Sequence, residues 1–120
     1  MDQHGYVDTC IFCKLVKGMV RADIVYQDDA VVAFKDIHPQ APVHVLVIPR
    51  FHMTALWEAD TSHEALLGHL LGACNEVAEA MGISSSGYRV VVNTGDDAGQ
   101  SVDHLHFHVL GGRKLQWPPG

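Results

Sequence analysis

Three histidines alternate with hydrophobic residues near the end of the chain, at His104, His106 and His108. Side chains in a β-strand repeat with a period of two, so all three imidazoles would project from one face. Leu105 and Phe107 would then project from the opposite face, into a core. On a helix the same histidines would spread around the axis, because helical neighbours lie three or four residues apart. A row of imidazoles suits nucleophilic, acid-base or metal chemistry near neutral pH.

A second candidate site is the pair Cys10 and Cys13, which two residues separate. The pair could be half of a metal site, a redox pair or two buried thiols. The chain has three cysteines, and an odd number argues against a disulfide framework. A redox pair of this spacing usually lies in a thioredoxin-like βαβ unit, which the predicted elements lack. We expect Cys74 to pack in the core, because it lies on the apolar stripe of a helix.

The elements that would position these residues can be predicted from hydrophobic periodicity and turn residues. A long helix is expected over 62–81, because Thr61 and Glu64 match a capping box and Gly82 is a natural stop. Its buried stripe is Leu66, Leu67, Leu70, Leu71, Cys74, Val77, Ala78 and Met81. A short helix is expected over 11–17, and strands over 24–27, 30–35, 43–48, 88–93 and through the three histidines to Gly111. The fold class is therefore α+β, with an antiparallel sheet of about five strands, one long helix and a short N-terminal helix.

Length and charge exclude several functions. At 120 residues the chain should form a single domain, 1–120, with a loose lead-in over 1–9 and a tail over 112–120. The formal net charge is −6 and no basic patch is present, so we expect no nucleic-acid partner. No apolar run is long enough to span a bilayer, so no membrane association is expected. The start of the chain lacks a secretory signal, which favours a cytoplasmic location.

The motifs together resemble those of one known family. The spacing His-φ-His-φ-His-φ-φ occupies 104–110, where φ is a hydrophobic residue, and further matching segments are 36–44, Asn93, 99–102, 110–113 and 117–120. This combination resembles the histidine triad (HIT) family, and specifically its Hint branch, over about residues 9–120. The resemblance implies a HIT-like fold and an intertwined homodimer. It also implies hydrolysis of purine nucleoside 5′-phosphoramidates and related AMP conjugates, with no organic cofactor.

The resemblance further implies four catalytic residues. His106 would be the nucleophile that forms a nucleotidyl-histidine intermediate, which water then hydrolyses. His108 would stabilise charge on the phosphoryl oxygens, Ser101 would donate to the phosphate or leaving group, and His44 would support the triad by hydrogen bonding.

The nucleotide-binding residues are implied in the same way. Ser101, His106 and His108 would contact the phosphate, and Asp36 would accept hydrogen bonds from the ribose hydroxyls. The remaining predicted contacts are Ile11, Phe12 and Ile37 around the purine and Asn93, Gly99 and Gln100 around the phosphate or ribose. Core packing is the alternative for Ile11 and Phe12.

Some HIT proteins also carry structural zinc, and the matching ligand positions are Cys10, Cys13, His52 and His104. This ligand set would be closed, with one zinc per chain and no open position for catalysis. The tail that contains Trp117 would reach the partner subunit's active site and shape its leaving-group pocket.

Two residues depart from the family pattern: Asp103 stands where an aromatic or apolar residue is usual, and His38 where serine is common. Other functions also remain open from the sequence. One is a dinucleoside polyphosphate hydrolase of another branch, against which Leu110–Arg113 and Trp117–Gly120 argue. The others are a nucleotide-binding regulatory or scaffold protein and a histidine-rich metal carrier.

Overall fold

The structure is a computed structural model that describes residues 5–120. It contains two helices, α1 (Ile11–Val16) and α2 (Glu64–Ala80). The five strands are β1 (Ile24–Gln27), β2 (Val31–Lys35), β3 (Val43–Pro49), β4 (Tyr88–Val92) and β5 (Phe107–Gly111). They form one antiparallel sheet in the order β1-β2-β3-β5-β4. The predicted α+β class, with five antiparallel strands and one long helix, is confirmed.

Each face of the sheet is covered by a different element. Along β3, Val45 and Val47 face the core beneath α2, together with Leu105, Phe107 and Val109 of the histidine segment. Leu46 and Ile48 point to the other face and pack against the short helix α1. The hydrophobic residues that alternate with the histidines therefore face α2, and the histidines face α1.

The sequence predicted a strand through all three histidines, but only part of this segment is a strand in the structure. Strand β5 begins at Phe107, which pairs with Val47, so His104 and His106 precede it. In this register Leu105 would face Pro49, which has no N–H to donate to the ladder. The amide of Leu105 instead donates to the carbonyl of Met53, at 2.6 Å. Alternation of side chains nevertheless continues, because Leu105 is fully buried in the core beneath α2.

The start of the long helix also differs from the prediction. A 3₁₀ turn, Thr61–His63, precedes α2, and its N-cap is Asp60 rather than Thr61. The Asp60 carboxylate accepts from the amide of Ser62, and His63 rather than Glu64 accepts from the Asp60 amide. Leu71 is another correction, because it is 51% exposed instead of lying in the buried stripe. Cys74 is buried in the core as predicted, and burial raises the pKa of its thiol to about 11.

The two ends of the chain are connected to this framework. Residues 1–4 of the predicted lead-in lie outside the described residues, whereas the carbonyl of Gly5 accepts a hydrogen bond from the amide of His52. In the tail, the guanidinium of Arg113 donates to the carbonyl of Gln40. Neither helix described within residues 5–120 combines the length and apolar character needed to cross a bilayer.

Candidate active site and metal cluster

The central imidazole, His106, is held by the backbone of the preceding histidine. Its Nδ1 lies 2.7 Å from the carbonyl oxygen of His104. A carbonyl can only accept, so Nδ1 carries the proton and Nε2 keeps its lone pair. The ring is 4% exposed and lines a cavity on the α1 face of the sheet. When the ring is neutral, this arrangement leaves the lone pair on Nε2, on a residue that lines the cavity.

A chain of hydrogen bonds fixes the proton of His108. The amide of Gln40 donates to Nδ1 of His44 at 3.0 Å, so in neutral His44 the proton lies on Nε2. That nitrogen lies 2.9 Å from Nδ1 of His108 and donates to it. His108 therefore carries its own proton on Nε2, which is buried and has no hydrogen-bond partner within residues 5–120. The relay leaves one unsatisfied donor on a histidine that lines the cavity beside His106.

Burial keeps the imidazoles of this relay neutral. It lowers the pKa of His108 to about 4, and the neighbouring His106 and His44 lower it further than burial alone would. Burial also lowers the pKa of His44, although the nearby Asp36 carboxylate opposes this effect. Oδ2 of Asp36 lies 3.4 Å from Nε2 of His44. At neutral pH His108 is thus a hydrogen-bond donor without a positive charge.

The cavity has a volume of about 610 Å³, within the range typical of small-ligand sites. Seven of the predicted residues line it: Ile11, Phe12, Asp36, Ile37, Ser101, His106 and His108. Ile11 and Ile37 are 48% and 86% exposed, so neither is a core residue. Phe12 is buried, and it both lines the cavity and packs in the core of the α1 face. The sequence did not indicate Val20, Ala22, Phe34 or Leu46 as cavity walls, although Leu46 shares a strand face with His44.

Of the residues predicted around the phosphate, only some line the cavity. Ser101 is exposed and lines the cavity, whereas Asn93, Gly99 and Gln100 are not among its lining residues. The side-chain amide nitrogen of Gln100 donates to the carbonyls of Thr54 and Val102. Its oxygen accepts from the amide of Gly95. Gln100 therefore spans the loop that carries Ser101, and its hydrogen-bonding groups are already engaged.

Gly95 allows this loop to pack closely. It adopts a positive φ of 81°, a conformation that glycine tolerates at little cost. A Cβ atom at this position would lie 2.8 Å from the indole of Trp57. The close approach keeps the Gly95 amide within reach of Gln100, and so supports the geometry of the loop.

The predicted metal ligands Cys10, Cys13, His52 and His104 form a cluster beside this cavity. Their ligand atoms all lie within 4.8 Å of one another. Nε2 of His104 lies 2.9 Å from the carbonyl of Pro49, so Nδ1 keeps a lone pair that faces the two sulfurs. Nδ1 of His52 lies 3.3 Å from Sγ of Cys13. The two sulfur and two nitrogen donors fit a tetrahedral metal site, so the cluster could bind a metal such as zinc.

Helix α1 connects the cluster with the candidate nucleophile. Cys10 is its N-cap and Cys13 lies within it. Between them, the ring of Phe12 makes edge contacts with His104 and His106, at centroid distances of 5.8 and 5.5 Å. A third edge contact joins Phe12 to Phe34 of β2 at 5.3 Å. The helix that carries both cysteines of the cluster therefore also places Phe12, a wall of the cavity, against His106.

Comparisons with known proteins agree with this arrangement. The profile described as the HIT domain matches residues 17–115. An uncharacterized HIT-like protein of Synechococcus elongatus is 54% identical over 110 residues, covering 92% of this chain and 96% of the relative. A crystal structure of a HIT family hydrolase from Legionella pneumophila superposes with a TM-score of 0.90 at 42% identity, covering 92% of this chain and 99% of that one. A histidine triad nucleotide-binding protein from Candida albicans superposes with a TM-score of 0.77 at 30% identity, covering 91% and 82%.

Proposed function

The chain belongs to the HIT domain family, and from this premise we propose that it hydrolyses purine nucleoside 5′-phosphoramidates and related AMP conjugates. The reaction would proceed through a nucleotidyl intermediate on His106, as in the Hint branch that the sequence resembles. The observation that carries the proposal is the pair of opposite tautomers at His106 and His108. One ring offers a lone pair and the next offers a buried, unsatisfied N–H, and both line one cavity.

In the first step, the Nε2 lone pair of His106 attacks the α-phosphorus, a P–N bond to His106 forms and the substrate's P–N bond breaks. The departing nitrogen takes the bonding electrons and a proton, which the exposed hydroxyl of Ser101 relays from solvent. The adduct makes the His106 ring cationic, and its Nδ1–H remains bonded to the His104 carbonyl. In the second step, water attacks phosphorus, releases AMP and a proton, and returns His106 to its neutral form.

His108 acts through its hydrogen bond and not through proton transfer. Its Nε2–H donates to a phosphoryl oxygen, on which negative charge develops in the transition state. A neutral donor with a low pKa keeps its proton throughout, and His44 maintains the required tautomer. The metal-carrier alternative takes the three triad histidines as its ligands, but within residues 5–120 their ligand atoms do not form one cluster. His104 groups with Cys10, Cys13 and His52, whereas His108 groups with His44 and Asp36.

The nucleoside occupies the apolar end of the cavity. Ile11, Phe12 and Ile37 contact the purine, and the Asp36 carboxylate accepts from the ribose hydroxyls. Oδ1 of Asp36 already accepts from the amide of His38, which orients the carboxylate. Asn93 and Gly99 remain predicted contacts to the ribose or phosphate, whereas we assign Gln100 to positioning the Ser101 loop.

We further propose that the metal of the cluster is zinc, in a structural role. Two thiolates and two neutral imidazoles are a common zinc ligand set, and zinc would supply rigidity there. No vacant ligand position is needed, because His106 provides the nucleophile. Zinc bound to His104 would fix the backbone carbonyl that accepts from His106. Zinc bound to Cys13 would fix α1, whose Phe12 packs against the His106 ring.

The protein is also proposed to act as a homodimer. Strand β4 is at the edge of the sheet, and Trp117 in the tail is 79% exposed. The unpaired edge of β4 offers backbone N–H and C=O groups that could pair with another subunit. In the dimer, the tail would complete the partner's leaving-group pocket.

The proposed function is tested by assaying adenosine 5′-phosphoramidate with wild-type protein and His106→Ala. We expect AMP release by the wild type and near-total loss of turnover in the variant, with AMP binding retained. The matched control is His63→Ala, which also removes an imidazole, but from a residue that does not line the cavity. AMP binding without turnover by the wild-type protein would contradict the proposal and favour a nucleotide-binding regulatory role.

A further inference from the structure

The cavity that we assign to the nucleoside combines apolar walls with a few charged side chains. The apolar walls come from α1, from the segment that joins α1 to β1 and from β2, and they include Leu15, Val20, Ala22 and Phe34. A purine packs its ring faces against such walls, whereas its ring nitrogens and exocyclic groups lie in the plane of the ring. These edge groups lose water when the base binds and then need other hydrogen-bond partners. The charged residues of the same cavity can fill that role.

Three exposed charged residues line the cavity where the α1–β1 connection meets the end of β2. Lys35 ends β2, and Arg21 and Asp23 belong to the connection. The amide of Lys35 donates to the carbonyl of Asp23 at 3.0 Å, and Nζ of Lys35 lies 3.3 Å from Oδ2 of Asp23. Arg21, in contrast, forms no ion pair with a carboxylate of residues 5–120. Its guanidinium is therefore available to a ligand in the cavity.

We propose that Arg21 is a specificity-determining residue that favours guanine over adenine as the base of the substrate. The inference rests on the proposed function. A guanidinium presents only hydrogen-bond donors. Guanine offers it two acceptors on one edge, O6 and N7, whereas adenine places an N6 amino group, which donates, beside N7. The carboxylate that this amino group would need is that of Asp23, which Lys35 already engages.

A contact with the base edge should act on binding and not on the chemical step. In this arrangement Arg21 contacts the base, whereas bonds form and break at the phosphorus. The contact is therefore present to the same extent in the ground state and in the transition state. Such uniform binding lowers KM and leaves kcat unchanged. The same discrimination should appear in the equilibrium binding of the nucleoside monophosphates.

The test compares the 5′-phosphoramidates of guanosine, inosine and adenosine. Inosine carries O6 and N7 like guanosine but lacks the N2 amino group, so it isolates the edge that Arg21 would read. Because Arg21 is exposed, we expect the low end of the discrimination that base-edge contacts provide, and wild-type kcat/KM should favour guanosine and inosine over adenosine about five- to tenfold. The difference should lie in KM, and GMP and IMP should bind more tightly than AMP by the same factor.

Two substitutions of Arg21 and one control separate the base contact from a general effect of charge. Arg21→Ala should abolish the preference for inosine over adenosine without changing kcat. Arg21→Gln should shift the ratio toward adenosine, because a carboxamide can donate to N7 and accept from N6 of adenine. Lys17→Ala is the matched control, because Lys17 is also exposed and cationic and precedes Arg21 in the chain, but does not line the cavity. It should leave the ratio unchanged.

The outcomes distinguish the base contact from the proposed function. Equal KM values for inosine and adenosine in the wild type would overturn the role of Arg21 alone, provided that both substrates are hydrolysed. A preference that survives in Arg21→Ala would do the same. Tighter binding of GMP than of AMP, lost in Arg21→Ala, but without turnover of any phosphoramidate would refute the proposed function and support the base contact.

Discussion

Phe12 offers a direct way to separate positioning of the nucleophile from general stability. Its side chain is 8% exposed and makes edge contacts with His104, His106 and Phe34. Phe12→Leu keeps an apolar side chain in the core but removes these aromatic contacts. We expect the variant to fold, to retain metal and to show a lower rate of phosphoramidate hydrolysis.

The magnitude follows from the contacts. An aromatic edge pair contributes about 0.5–1.5 kcal/mol beyond its buried area. Only the contact with His106 acts directly on the nucleophile, so its loss should lower the population of the productive ring orientation, and kcat should fall by at most roughly 2- to 12-fold, using about 1.4 kcal/mol per tenfold change. All three contacts stabilise the fold, and the free energy of unfolding should fall by roughly 1.5–4.5 kcal/mol. Single-turnover kinetics and urea unfolding measure the two effects separately.

Phe34→Leu is the matched control, because Phe34 lines the same cavity and makes an edge contact with Phe12, whereas the ring contacts of His106 within residues 5–120 are with Phe12 and His108. It should lower stability while leaving kcat within about twofold of wild type, since one contact contributes about 0.5–1.5 kcal/mol to the fold alone. If both variants lost the same factor in kcat, the edge contact between Phe12 and His106 would not position the nucleophile, and the reasoning would be refuted.

Three further predictions concern other parts of the molecule. Burial alone would raise the pKa of Asp28, but hydrogen bonds from the Ala30 amide, His69 and neighbouring groups lower it to about 2 from 3.8. The ionised Asp28 carboxylate therefore stabilises the folded state above its unfolded pKa, and this contribution is lost as pH falls toward 2. Asp28→Asn should remove this acid-dependent loss from the unfolding curves. At neutral pH the substitution should cost only about 1 kcal/mol, because the partner His69 is 47% exposed. Cys13→Ala should eliminate bound zinc by elemental analysis and lower the thermal midpoint, and retention of one zinc per chain would contradict the ligand assignment. Removal of residues 116–120 should change the relative rates on different leaving groups more than the thermal midpoint; unchanged relative rates would refute the proposed role of the Trp117 tail.

Local patterns made much of the fold predictable. Val45 and Val47 follow the period of two that is typical of a strand, and Leu70 and Val77 follow the period of 3.6 that is typical of a helix. All four side chains pack in the same core, so the local pattern and the tertiary packing favour the same structure. The sequence did not reveal where β5 begins, because that depends on which residue of β3 lies opposite. The facing Pro49 is 56 positions before Leu105 in the chain, and no local pattern encodes this register.

The candidate site was predictable in its residue types but not in its proton arrangement. The spacing of the histidines indicated which rings share a face. Their tautomers depend on Gln40, Pro49 and the His104 carbonyl, which are backbone partners without any sequence signal. Likewise, the side-chain amide of Gln100 looked suited to bind phosphate, whereas the structure shows that it holds its own loop.

The central claim is that Nε2 of His106 forms a covalent bond with the nucleotide. The most direct test is acid-free rapid quenching of wild-type protein with adenosine 5′-phosphoramidate, followed by intact mass and peptide mapping. The account predicts an adenylyl adduct on His106 that forms before steady-state AMP release and is absent from His106→Ala. Turnover without any adduct on His106, or an adduct on His108 instead, would contradict it.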